Sequence, residues 1–192
     1  NEINSRLHIL LKTGGFLKAV YEFLENNSIS EETYETYVKW ILGDLSGLDK
    51  RESIFKSMVK GVVKNYSSKF SLLSLAREME IPSHVTVSQY LETMQSLLLA
   101  NNLFQVSLDK QLPVFRKERK CYFIDPFLFS VFKGYTLGKY QDYSEGIEDM
   151  LLEGVLCESL SRLNRKNLDT SHFLWFYAKK KETDFVVKSN KS

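Results

Sequence analysis

The chain has 192 residues, 43% hydrophobic and 13% aromatic, which supports a proper core, excludes intrinsic disorder, and accommodates one large domain or two to three small ones. Its formal net charge of +2 is too small to mark a nucleic-acid binder by itself, so only local clusters of cations carry weight. No apolar run approaches the roughly 20 residues of a membrane span, and no signal peptide is visible. With two distant cysteines, Cys121 and Cys157, in apolar surroundings, the pattern predicts reduced buried thiols in a cytoplasmic protein with no membrane partner. The first residue is Asn1, and the chain is read as a piece of a longer polypeptide.

Residues 1–48 read as helical throughout. Leu7, Ile9, Leu10 and Leu11 lead into Thr13-Gly14-Gly15, a flexible break, after which Phe16, Val20, Phe23 and Leu24 resume the pattern as far as Asn26-Asn27-Ser28. Ser30 is placed to cap a further helix, with Glu31 and Glu32 in the first turn, where the dipole favours acids. Its buried face would be Tyr34, Tyr37, Val38, Ile41 and Leu45. The charged, aperiodic stretch Leu48 to Glu52 is the expected boundary.

Residues 49–125 pattern as a winged helix-turn-helix. Ile54, Phe55, Met58, Val59, Val62, Val63 and Tyr66 define an amphipathic helix. Its outer face bears Lys56, Lys60 and Lys64, with Lys69 just beyond, either as a solvated face or as phosphate contacts. Leu72, Leu73, Leu75, Ala76 and Met79 form a short helix that Pro82 stops. Ser83 then caps a second helix carrying Tyr90, Leu91, Met94, Leu97 and Leu98 on one face, with Asn101-Asn102 to close it. Strands follow at Leu103, Phe104 and Val106 and at Cys121 to Ile124, and the basic segment between them has the length of a wing. Ile81 to Ala100 contains no Lys or Arg, so this helix is a weak phosphate anchor, although its exposed Ser83, His84, Thr86, Ser88 and Gln89 suit base edges. Positive charge sits in the wing instead, at Lys110, Arg116, Lys117, Arg119 and Lys120. Double-stranded DNA touched mainly through wing and first helix is one expectation; a structural joint between domains is the other.

Several stretches resemble the archaeal ATPase family of AAA+/STAND-like proteins. That family has an N-terminal P-loop ATPase, a helical lid, a winged helix and a C-terminal domain related to restriction endonucleases. Gly14-Gly15-Phe16 resembles the "GGFP" opening the lid, with Leu17 in place of proline, and Tyr37 to Asp44 is similar to the lid helix that follows. Thr86 to Glu92 resembles "TVxxYLxxLE" and Lys120 to Phe127 resembles "KxYFxDPF". Leu152-Glu153-Gly154-Val155 and Glu182 to Val187 look like "xExxV" and "EIDFVV". The resemblance implies a non-catalytic C-terminal portion of such an ATPase, acting as a DNA-binding or regulatory module or as a protein-interaction scaffold. A Walker A loop is missing, since Gly138-Lys139 is followed by Tyr140. ATP and Mg are therefore expected only for an upstream ATPase domain, and no cofactor for this chain.

Residues 126–192 are expected to be a partial endonuclease-like α/β domain. After Lys133-Gly134-Tyr135 and a polar loop, Ser144 caps a helix running through Ile147, Leu151, Val155, Leu156, Leu160 and Leu163. Asn164 to Ser171 is read as a loop, Phe173 to Tyr177 as a buried strand, Ala178 to Lys181 as a basic turn and Thr183 to Lys188 as a second strand. Endonuclease-like folds set a helix acid beside a strand acid to hold a divalent cation. Glu153 and Asp184 match those places, with Glu182 on the strand face of Asp184. The lysine of the acid-x-Lys motif has only Lys188 as a poor substitute, so the nuclease site is incomplete. His8, His84 and His172 show no ligand spacing, and no metal is predicted. The fold class expected is mainly α with small β elements.

Overall fold

A computed structural model of the chain describes residues 2–163, 173–179 and 181–188, and within them eight α-helices and five β-strands make a mixed α+β fold. Helix α1 (Glu2–Thr13) ends where Gly14 adopts φ +56°, its N–H returning to the Leu10 carbonyl at 2.8 Å. Helix α2 (Leu17–Asn26) closes on Asn27 in the left-handed region. Helix α3 (Glu31–Gly47) starts at Ser30, whose hydroxyl accepts from the Thr33 N–H. The Glu22 carboxylate joins the two, accepting from the Ser30 N–H at 2.9 Å and the Thr33 hydroxyl at 2.7 Å.

Helices α4 (Glu52–Lys64), α5 (Leu72–Glu78) and α6 (His84–Ser96) follow, with Ser71 and Ser83 as side-chain N-caps of the last two. Asn101-Asn102 does not close α6, contrary to the sequence expectation. The helix stops at Ser96, the chain turns at Leu98 with φ +53°, and both asparagines enter strand β1 (Ala100–Ser107) as buried residues. Strand β2 is Leu112–Pro113 and β3 is Arg119–Phe123. β1 runs antiparallel to β3 from Ala100↔Phe123 to Phe104↔Arg119, and Phe70 bridges to Arg119 ahead of α5.

Helix α7 (Pro126–Leu137) sits in a stretch where periodicity gives no signal. It is apolar on nearly every side, as befits a helix enclosed by others, so no polar face marks its period. Asp125 caps it, accepting from the Phe127 N–H at 2.9 Å, Pro126 opens it and Gly138 closes it in the left-handed region. Helices α1, α3, α4 and α8 and strand β3 all pack on it. Helix α8 (Glu148–Arg162) begins after Ile147 rather than at Ser144: the Ser144 N–H donates to Asp142 at 2.9 Å, and the chain turns at Gly146 with φ +77° before the helix starts.

Strand β4 (Leu174–Ala178) lies parallel to β1, Phe104 opposite Trp175, and antiparallel to β5 (Glu182–Val187). The C-terminal hairpin thus extends the sheet that begins in the 100–123 hairpin. A single cluster of buried apolar residues runs from Leu11 to Phe176. The expected loop at Asn164 to Ser171, His172, and Lys180 of the basic turn lie outside the described residues.

Candidate functional site

Two places gather the chemistry, and the first is a carboxylate–lysine cluster. Every residue of β3 is buried, so Lys120 projects from it into the interior beneath β5. Its ammonium meets Asp184 Oδ1 at 2.6 Å and Glu182 Oε1 at 2.9 Å, and Glu182 Oε2 also accepts from Lys69 at 3.0 Å. Burial alone would lower the Lys120 pKa, but its hydrogen bonds to the two carboxylates raise it. The same bond from Lys120 holds the Glu182 carboxyl below its usual range. On α8, Glu153 accepts from the Tyr122 hydroxyl at 2.9 Å; burial pushes its pKa up, against that hydrogen bond and with the help of the nearby Asp184 charge.

The fold therefore brings Glu153, Glu182 and Asp184 into one neighbourhood, but the cation shared by the two strand acids is the Lys120 ammonium. Among the described residues no group of three or more His, Cys, Asp or Glu side chains is arranged to hold a metal ion. What the cluster does physically is tie β5 to β3 through a charge-assisted pair.

The second place is a groove of about 820 Å³ between α5, α6 and the β1–β3 hairpin. Leu72, Val85, Leu98, Phe104 and Phe115 wall it, with Glu92 and His84 on the α6 side. Arg119 lines it from β3 and is only 4% exposed, its guanidinium 3.8 Å from the Phe104 ring centroid. Nη2 donates to the Phe115 carbonyl at 2.8 Å, while Nε has no hydrogen-bond partner. Desolvation draws the Arg119 pKa down to about 10, opposed by the charge of Glu92, which is too far to form an ion pair. Asn102, also buried, lines the same groove, and its Oδ1 is likewise unpartnered.

These placements correct two of the wing cations. Arg119 and Lys120 are not solvent-facing wing residues; the antiparallel ladder seats both in β3, under the groove and under β5. Lys110, Arg116 and Lys117 do lie exposed on the segment joining β1 to β3, without an ion pair among the described residues. On α4, Lys56 lies 5.0 Å over the Tyr135 ring, Lys64 pairs with Glu78, and Lys60 is exposed. Of the helix α6 candidates, Ser83 and Thr86 bond each other in the cap and Ser88 donates to Glu92 at 3.1 Å, leaving His84 and Gln89 free at the surface. Sequence reasoning missed Val85, Leu98 and Phe115 as groove walls. Val85 and Phe115 are apolar where the helical or wing pattern calls for a polar residue, whereas Leu98, expected on the buried face of the second helix, lies past its end and is exposed.

Residues 4–137 match the family described as a domain of unknown function, DUF8612. The chain belongs to that family. Nothing matches among curated proteins or among solved structures. The DUF8612 segment ends at the last residue of α7, so it contains the groove and both hairpin strands, whereas Glu153, Glu182 and Asp184 lie beyond it. No described helix is long and apolar enough to cross a membrane.

Proposed function

We propose that residues 49–125 form a winged helix within the non-catalytic C-terminal portion of an archaeal-type P-loop ATPase, and that this winged helix engages a protein partner. The order α4, Phe70 bridge, α5, α6, β1, β3 supports the winged-helix reading, with α6 in the place of a recognition helix. ATP and Mg belong on this reading to an upstream domain of the same cytoplasmic protein, and the module couples its nucleotide state to the partner.

The observation that carries the reading is the character of the surface beside α6. It is an apolar groove holding an acid, Glu92, and its lining cation Arg119 is buried. A phosphate-reading face needs exposed cations there, whereas an apolar groove with a polar rim suits a polypeptide. A second reading, DNA touched through the wing, rests on exposed Lys110, Arg116 and Lys117.

Fluorescence anisotropy with random duplex and single-stranded DNA at several salt concentrations separates the two. The interaction reading expects duplex binding no tighter than the non-specific range of about 10⁻⁴–10⁻⁶ M. Tighter binding that falls steeply with salt, and that reversing Lys110, Arg116 and Lys117 to Glu abolishes, assigns the module to DNA.

A further inference from the structure

Helix α2 carries apolar side chains on two sides. Ala19 is buried and Val20 and Phe23 are half-buried, with the Lys12 ammonium of α1 5.9 Å over the Phe23 ring. On the opposite side Leu17, Tyr21 and Leu24 are 84%, 67% and 63% exposed. At about 100° of turn per residue, these three positions fall within an arc of about 60°. Exposed apolar residues scattered singly are ordinary, whereas a contiguous stripe of large ones marks a surface for another chain. The helix that presents it is anchored, because its Glu22 accepts from the Ser30 N–H and the Thr33 hydroxyl at the start of α3.

The charges beside the stripe select its occupant. Glu25 and Lys18 lie about 80° and 100° round the helix from Leu17, on one flank of the stripe. Both are exposed, and neither forms a salt bridge among the described residues. Each also stands at the wrong end of the helix for its dipole, which favours acids in the first turn and bases in the last. A lone helix gains nothing from that placement. A stripe with a cation at one end of its flank and an acid at the other is, however, complementary to itself turned end for end.

We propose that α2 is a contact between two copies of this chain, packed antiparallel about a two-fold axis at Tyr21. Such an axis keeps the charged flanks of both helices on one side and reverses their direction. At about 1.5 Å of rise per residue, Leu17 and Lys18 lie about 6 and 4.5 Å before Tyr21, and Leu24 and Glu25 about 4.5 and 6 Å after it. Each Leu17 therefore meets Leu24 of the second copy, Tyr21 meets its own counterpart, and each Lys18 stands beside Glu25 of the second copy. A parallel pair sets the two charged flanks on opposite sides and forms neither charge pair. One face of this 10-residue helix offers less than the roughly 800 Å² per partner of a standard interface, so the dimer is a weak one. The contact uses neither the groove nor residues 49–125, so it stands independently of the interaction reading.

The test is sedimentation equilibrium of the full chain from about 5 to 500 μM, the range of a weak association. A monomer–dimer equilibrium is expected. Tyr21→Glu sets two acids against each other at the axis and should raise the dissociation constant at least about tenfold. Lys18→Glu and Glu25→Lys should each raise it about threefold or more, an effect that shrinks at high salt. An equimolar mixture of those two variants should associate at least as tightly as the wild type, because acids then face cations at both ends. Both reversals suit the dipole of α2 and both positions are exposed, so the fold is expected to survive, with far-UV circular dichroism as the check. A chain that stays monomeric throughout leaves the stripe to some other chain and overturns the proposal. A dimer indifferent to Tyr21→Glu places the contact elsewhere and overturns it too. A dimer that Tyr21→Glu weakens, with no recovery in the mixture, overturns the antiparallel pairing.

Discussion

At the scale of single residues, the Lys120 cluster sets two carboxylates on opposite electrostatic slopes. Glu182 is held below its usual range by Lys120, so its contribution to stability is present above its ordinary value of 4.5 and is lost as pH falls through the depressed folded pKa. Glu153 is raised by burial, so its contribution is full below 4.5 and fades as pH rises through the raised folded pKa. Replacing Glu153 by Gln removes a titrating group while keeping an acceptor for the Tyr122 hydroxyl. Urea denaturation across the acid range should then show Glu153→Gln gaining stability relative to the wild type as pH rises past 4.5; a constant difference across that window would refute the assignment. Lys120→Met should cost about 1–3 kcal/mol at neutral pH, the worth of charged hydrogen bonds. The value stays below that of a fully buried pair, because Glu182 and Asp184 are 38% and 47% exposed and keep part of their hydration. The deficit should shrink on acidification as Glu182 protonates.

At the scale of elements, two stretches far apart in sequence meet at one carboxylate. Asp125 caps α7 through one oxygen and accepts the Gly15 N–H through the other at 2.8 Å, while Phe16 lies 5.3 Å from Phe127. Burial raises the Asp125 pKa, opposed by those two N–H donors. Gly14 is required there on two counts: its φ is +56°, and an added Cβ would stand 1.7 Å from Asp125 Oδ1. Gly14→Ala should therefore destabilise by more than about 2 kcal/mol, and Asp125→Ala by about 1–2 kcal/mol through the lost cap. The double variant should cost less than the sum, since removing the carboxylate relieves the clash; additive values in urea denaturation would count against the contact. These elements also show what a sequence can and cannot announce. Helices α3 and α4 bury one face and wet the other, so Tyr34, Val38 and Ile41, or Phe55, Met58 and Val62, declare themselves by spacing. Helix α7 has no wet face to set against Phe127, Val131 and Phe132, and its period is silent. Arg119 and Lys120 misled for the converse reason: residue type says cation, but only the pairing of β3 with β1 and the later arrival of β5 say buried. The groove was illegible because its walls come from α5, α6 and two strands, and no local pattern links Leu72 to Phe115.

At the scale of the molecule, the last third of the chain is tied to the rest at several places, among them three that join different elements. β4 lies parallel to β1, Lys120 reaches Asp184, and Gly154 on α8 packs so closely on Tyr66 that an added Cβ would stand 2.4 Å from its hydroxyl. Parallel pairing between β1 and β4 is a non-local contact that forms only once both partners are in place. The buried cluster passes without a break from α1 through α7 to β4. Segments that share a sheet and a core lose their packing together, so the chain should unfold in a single cooperative step. Its two tryptophans make this measurable: Trp175 is buried in β4, whereas Trp40 is exposed on α3. In a Trp40→Phe variant, fluorescence reports β4 alone while far-UV circular dichroism reports chiefly the helices. Their urea transitions should superimpose, with one midpoint for both probes. A fluorescence midpoint well below the circular-dichroism one would mean that the β4–β5 hairpin opens first. The Lys120–Asp184 tie would then hold a separable flap rather than part of the core, and Lys120→Met should widen the gap between the two midpoints.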